Sequence, residues 1–122
     1  MILREYLNRL SETCRLVLLE KYHEILDKEI TLPEKLNEIS KILKVLSNPV
    51  RLKIVWLLAE HDMPVCLIAT ILNKDQTLIS HHLRVLKEHG IVKENAIGKF
   101  KYYITNKTEL RKILETLIRD LK

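Results

Sequence analysis

Apolar positions along this chain change period more than once, and each change predicts an element. Across residues 2–30, Leu3, Leu7, Leu10, Cys14 and Val17 recur at heptad spacing, which predicts one long helix. Ile2, Tyr6, Leu18, Tyr22, Ile25 and Leu26 widen the stripe, and neither Gly nor Pro interrupts it. A stripe that broad needs a partner surface, either the rest of the domain or a second copy of the chain. Thr31-Leu32-Pro33-Glu34 then breaks the pattern and restarts it, with Pro33 suited to a first helical turn and Glu34 to its positive end. Leu36, Ile39, Ile42, Leu43 and Leu46 define the next helix. Ser47-Asn48-Pro49 caps another, which carries Val50, Leu52, Ile54, Val55, Leu57 and Leu58. Trp56, the sole tryptophan, lies within it and is expected to pack in the core.

Met63-Pro64 opens a short helix with Val65, Ile68, Ala69 and Leu72 apolar. Asn73-Lys74-Asp75 reads as a turn, with Asp75 placed to cap the next helix. That helix runs from Gln76 to His89 and is ended by Gly90. Two short helices joined this way, the second amphipathic and basic, make a helix-turn-helix pattern. After Gly90 the period falls from 3.6 to 2. Ile91-Val92-Lys93-Glu94 and Phe100-Lys101-Tyr102-Tyr103-Ile104 predict a β-hairpin around the loop Asn95–Lys99. Thr105-Asn106 caps a last helix, about Lys107 to Leu121, with Leu110, Ile113, Leu114, Leu117 and Ile118 on one face. The expected architecture is mostly α with a small β-hairpin.

Composition narrows the class. The chain has 122 residues, the size of one ordinary domain, and an apolar fraction of 47% argues against disorder. Its longest uncharged apolar stretch, Val65 to Leu72, is eight residues. A membrane-spanning helix needs roughly 20. Arg4, Glu5 and Arg9 interrupt the start before a secretory apolar run can build. A soluble, cytoplasmic protein with no membrane partner is expected. Charge is uneven: residues 1–40 carry six Lys and Arg against eight Asp and Glu, whereas residues 41–122 carry fifteen against eight. A basic bias over the helix-turn-helix and hairpin favours a polyanion, because neutralised phosphates release counterions. Cys14 and Cys66 are too few for a structural zinc site and are expected to be free, mostly buried thiols.

Three stretches carry a family resemblance. They are Leu46-Ser47-Asn48-Pro49-Val50-Arg51-Leu52-Lys53-Ile54, then Ile79-Ser80-His81-His82-Leu83-Arg84-Val85-Leu86-Lys87-Glu88-His89-Gly90-Ile91-Val92, then Gly98-Lys99-Phe100-Lys101-Tyr102-Tyr103. In this order and at these intervals, residues 35–104 resemble the winged helix-turn-helix repressors of the arsenical-resistance (ArsR-type) family. The resemblance implies a winged helix-turn-helix, placed at residues 32–122; the N-terminal helix, residues 1–31, is expected from its own apolar stripe to be a dimerisation or packing arm. The resemblance further implies a homodimeric, sequence-specific regulator, a repressor by the family's usual mode, with a dimer interface built from the N-terminal and C-terminal helices.

A recognition helix shows one face to the major groove and another to its own core. Helical spacing assigns Leu78, Ile79, Leu83 and Leu86 inward, and Gln76, Thr77, Ser80, His81 and Arg84 outward. Gln pairs with adenine, Arg with guanine, and Thr or Ser with either edge or a phosphate. The resemblance places base and phosphate contacts on Gln76, Thr77, Ser80 and His81. Leu78 departs from the small polar residue common there. His82, beside the apolar stripe, reads as structural. Arg84 and Lys87 read as phosphate ligands next to that surface. Lys99 and Lys101 flank the wing tip, where a β-ribbon over residues 91–104 lies along the backbone or minor groove and positions the protein without specifying sequence. A dimer sets two such helices about 34 Å apart and favours an inverted-repeat operator on double-stranded DNA.

No cofactor and no metal site is expected. Metal-sensing relatives use a Cys-x-Cys before the turn or a His and carboxylate set on the last helix. Here the first place reads Pro64-Val65-Cys66, and Glu109, Glu115 and Asp120 on the last helix have no His or Cys beside them. In some thiolate-type relatives an N-terminal cysteine of one chain reaches the short-helix cysteine of its partner. Cys14 and Cys66 would then form a redox or soft-metal pair, or Cys14, on the helical seam, would face its own copy; two inert thiols are the alternative to both. An enzyme is not expected, because no Gly-rich phosphate loop or nucleophile with an evident base is present. The competing function is a winged-helix protein-interaction module that binds no DNA. The basic, polar surface of residues 76–84 argues for DNA.

Overall fold

The computed structural model describes residues 1–121 and forms two compact units, Met1–Glu34 and a second beginning at Lys35. In the first unit the expected single helix is divided. α1 spans Leu3–Leu7 and α2 spans Glu12–Lys21. The break has a local cause: the Ser11 side chain accepts a hydrogen bond from the Cys14 amide at 3.4 Å and so starts a new helix at its own N-terminus. The chain then turns back. Ile2 bridges Glu29, the Ile30 amide bonds the Met1 carbonyl at 2.8 Å, and the Arg4 guanidinium clasps the Asp27 carboxylate with two bonds of 2.8 and 2.9 Å. Leu7 and Leu26 are the buried apolar residues of this small unit. Tyr6, Leu10, Leu16 and Val17 stay exposed on it.

The second unit holds α3 (Lys35–Leu46), α4 (Pro49–Glu60), α5 (Val65–Leu72), α6 (Gln76–Glu88), β1 (Val92–Ile97), β2 (Phe100–Thr105) and α7 (Lys107–Asp120). Side-chain caps set three helix starts. Asn48 accepts from the Val50 and Arg51 amides, Asp75 from the Thr77 amide and Asn106 from the Glu109 amide. The core is built where α4, α5 and α6 meet the root of the hairpin: Ile54, Leu58, Ile68, Ile79, Leu83, Leu86 and Ile91 are fully buried.

Trp56 corrects the expectation of a core tryptophan, since it is 71% exposed. α4 is apolar on nearly every side, so periodicity could not choose its inner face. Ile54, Val55 and Leu58 take the core, and Leu52 and Trp56, one turn apart, face outward. Leu78 is a second correction: it is 40% exposed while Ile79, His82, Leu83 and Leu86 carry the buried stripe of α6.

The hairpin is antiparallel and its loop is shorter than expected. Ile97 pairs with Phe100, leaving only Gly98-Lys99 to turn the chain. Gly98 has φ +62° and Lys99 is not among the left-handed residues, the signs of a type II′ turn, whose first position favours glycine. Three ties anchor the hairpin. Met63 exchanges two backbone bonds with Tyr103 (3.0 and 2.9 Å), the Thr105 hydroxyl donates to the Val55 carbonyl at 2.8 Å, and the Asn106 amide donates to the Ile91 carbonyl at 2.8 Å. No helix among the described residues is long and apolar enough to cross a membrane.

Candidate nucleic-acid interface

The turn between α5 and α6 fixes the angle at which α6 is presented. Asn73 closes α5 in the left-handed conformation, φ 52°, and the Lys74 amide bonds back to the Ala69 carbonyl at 3.0 Å. Asparagine tolerates that backbone better than a branched residue would. Asp75 then caps α6. Packing of Ile79, Leu83 and Leu86 holds the helix down along one side. The opposite side is free: Gln76, Thr77, Ser80, His81, Arg84 and Lys87 are all exposed. Six polar or basic side chains thus stand along three turns of a helix whose inner face is pinned, the arrangement a groove-reading helix requires.

His81 and His82 are adjacent, and the structure separates them. His82 is buried, with its ring 5.9 Å from that of His81. Arg51, in the first turn of α4, donates from Nε to His82 Nδ1 at 3.1 Å and so ties α4 to α6. Burial, then the Arg51 charge, then His81 push the His82 imidazolium down from the usual histidine range, so the ring stays neutral. His81 is exposed, and Arg84 Nη2 lies 3.0 Å from its Nδ1. The guanidinium is the donor there, so in the free protein Arg84 bends back along its own helix.

The lysines divide by how they are held. Lys99 stands at the two-residue turn, exposed and outside every ion pair among the described residues. Lys87 and Lys101 instead converge on Glu94. Lys87 Nζ pairs with Glu94 Oε2, and Lys101 Nζ lies 3.3 Å from Glu94 Oε1. The hydrogen bond from Lys87, then that from Lys101, holds the Glu94 carboxyl below the usual range, and the same pairing raises Lys87. Sequence reasoning named both lysines and missed the carboxylate between them. It also passed over Ile97 and Phe100, which flank the wing tip and are more than half exposed.

Cys14 and Cys66 are both free and both exposed, which corrects the expectation of buried thiols. Cys66 lies in the first turn of α5, whose inward positions Ile68 and Ala69 already fill the core. No cluster of three or more metal-binding side chains occurs among the described residues.

Comparison with known proteins agrees with this geometry. Residues 48–94, which span α4 to the start of the wing, match the family described as "Bacterial regulatory protein, arsR family". The chain is 40% identical over 83 residues to the uncharacterized HTH-type transcriptional regulator MJ1325 of Methanocaldococcus jannaschii, covering 67% of this chain and 93% of that protein. It is 37% identical over 73 residues to the transcriptional repressor SdpR of Bacillus subtilis, covering 60% and 81% of the two. Among solved structures, the homodimeric winged helix-turn-helix DNA-binding domain of Mb0332 from Mycobacterium bovis matches with a TM-score of 0.59 and 27% identity, covering 77% of this chain and 94% of that one.

Proposed function

The chain belongs to the ArsR family of bacterial regulatory proteins and is a DNA-binding transcriptional regulator, and from that premise we propose that it is a homodimeric repressor which lays α6 in the major groove and its β1–β2 wing on the backbone or minor groove. The observation that carries this reading is the division of α6 into a buried stripe, Ile79, Leu83 and Leu86, and an exposed polar face, Gln76 to Arg84. Gln76, Thr77 and Ser80 offer hydrogen bonds to base edges. Arg84 swings from His81 to a guanine or a phosphate, and Lys99 meets the backbone from the wing. A regulator of this kind acts by occupancy: a bound dimer denies the promoter to polymerase. It performs no catalysis.

Dimerisation completes the reading. α3 packs against α7, and Lys35 Nζ pairs with Asp120 Oδ2 at 2.6 Å across their ends. Leu36 and Leu43 on α3 and Ile118 on α7 remain exposed, as does Leu121 just past the end of α7, apolar side chains that suit a partner surface. A second copy covers them, as the homodimeric state of Mb0332 suggests. The exposed Leu10, Leu16 and Val17 of the N-terminal unit extend the same requirement.

Selection of bound fragments from random duplex DNA tests the proposal. The expected product is an inverted repeat with half-site centres about one helical turn apart. Enrichment of no sequence, or of a single unpaired half-site, contradicts it.

A second reading concerns response. Two exposed thiols satisfy the access that oxidation or soft-metal capture needs. Under this reading, mild oxidant converts the chain to a cross-linked dimer on a non-reducing gel and changes duplex affinity. Unaltered migration together with unaltered affinity disposes of it.

A further inference from the structure

Among the described residues, Glu94 is the acidic side chain that touches both the recognition helix and the far strand of the wing. Its neighbours explain how. β1 and β2 pair Glu94 with Tyr103 and Ala96 with Lys101, so Glu94 and Lys101 share one face of the ribbon on a diagonal. Lys87 projects from the last turn of α6 and reaches the same carboxylate. The Glu94 side chain is only 18% exposed, whereas Lys87 and Lys101 are 53% and 67% exposed. One carboxylate, partly sunk, thus receives two ammonium groups from two different elements. A duplex phosphate set between a major-groove helix and a wing presents the same chemistry, an anion taking donors from both sides.

We infer that Glu94 stands in for a DNA phosphate in the free protein, occupying Lys87 and Lys101 and thereby holding down sequence-independent binding to duplex DNA. The inference rests on the DNA-binding reading given above. Its consequence is a competition. A backbone phosphate must displace the carboxylate or share its lysines, so the three groups deliver a net charge of +1 to DNA instead of +2. Among the described residues Lys99 has no such partner, and it delivers its full charge. Sequence readout by Gln76 and Ser80 is separate, because neither residue touches this cluster.

The test uses Glu94→Gln, which keeps shape and one acceptor while removing the charge. Full-length wild type and variant are titrated by fluorescence anisotropy with a random-sequence duplex of about 30 base pairs, over a salt series. The variant is expected to bind about three- to tenfold tighter at low salt, with a slope of log affinity against log salt steeper by about one. A second pair of variants makes the result independent of wing stability. By the same count Lys87→Met should flatten the slope by about one in either background, so the Lys87→Met, Glu94→Gln double variant should return to the wild-type slope. A carboxylate that merely braces the wing would lower the melting temperature on substitution and leave the slope unchanged. Equal or weaker binding of Glu94→Gln with an unchanged slope overturns the inference while the DNA-binding reading stands. Wild type that binds no duplex at the lowest salt overturns both.

Discussion

Replacing Arg51 by leucine removes the donor that satisfies a buried imidazole. His82 Nδ1 accepts from Arg51 Nε at 3.1 Å, and the ring is buried while Arg51 is only half-buried. The two ends of this bond therefore respond differently. Arg51→Leu strands a buried acceptor, which costs about 1–3 kcal/mol. Over a domain of this size each kcal/mol lowers the melting temperature by roughly 4–8 °C. His82→Leu instead frees a guanidinium that turns to water, and a leucine fills most of the ring's volume. That change should cost no more than about 1 kcal/mol. In the double variant no acceptor is left unpaired, so it should be as stable as His82→Leu alone. The coupling is then about 1 kcal/mol or more. Urea unfolding followed by far-UV circular dichroism measures all four proteins. If the double variant loses the sum of the two single losses to within about 0.5 kcal/mol, the bond contributes nothing specific and the reasoning is refuted.

The same imidazole predicts a pH dependence. The folded state holds the His82 proton affinity below the ordinary value of 6.5, chiefly through burial. Above 6.5 both states are neutral and stability is complete; as pH falls from there toward the lower folded value, the unfolded chain takes up a proton the folded chain refuses, and stability declines. Unfolding midpoints measured across that window should fall more in wild type than in His82→Leu, and parallel curves would contradict the assignment. On DNA, Gln76→Ala or Ser80→Ala should weaken selected sites by about 1–3 kcal/mol per lost base contact and relax base preference, whereas Lys99→Ala should weaken all sequences alike and flatten the salt slope by about one. Identical behaviour of the two classes in competition titrations would remove the distinction between reading and positioning. Deleting residues 1–31 should reduce dimer content in sedimentation, and a truncated chain that remains fully dimeric would assign the interface to α3 and α7 alone.

Much of this fold was written locally in the chain. Asn48, Asp75 and Asn106 cap the helices they were expected to cap, because capping depends on neighbours two or three residues away. The buried stripe of α6 followed from its period, apart from Leu78. What failed depended on information that a period does not hold. The N-terminal stripe runs through Ser11 without Gly or Pro, so heptad spacing alone gives no sign of the new helix start that Ser11 caps. Trp56 lies on a helix apolar on nearly every side, where only the packed structure decides which face is inner. The cluster at Glu94 was invisible for a different reason. A five-residue loop would set Glu94 opposite Phe100, but the two-residue turn shifts the register and brings Lys101 onto its diagonal. Charge counting then read Lys87 and Lys101 as free cations, since pairing across a hairpin and a helix is set by that register.

The most direct measurement of whether α6 enters the groove is an amide chemical-shift map of the full chain titrated with a selected duplex. The account predicts shifts concentrated at residues 76–84 and at the Gly98-Lys99 turn, with the buried amides of α4 little changed. Saturable binding that leaves residues 76–84 unperturbed and moves another surface would contradict it.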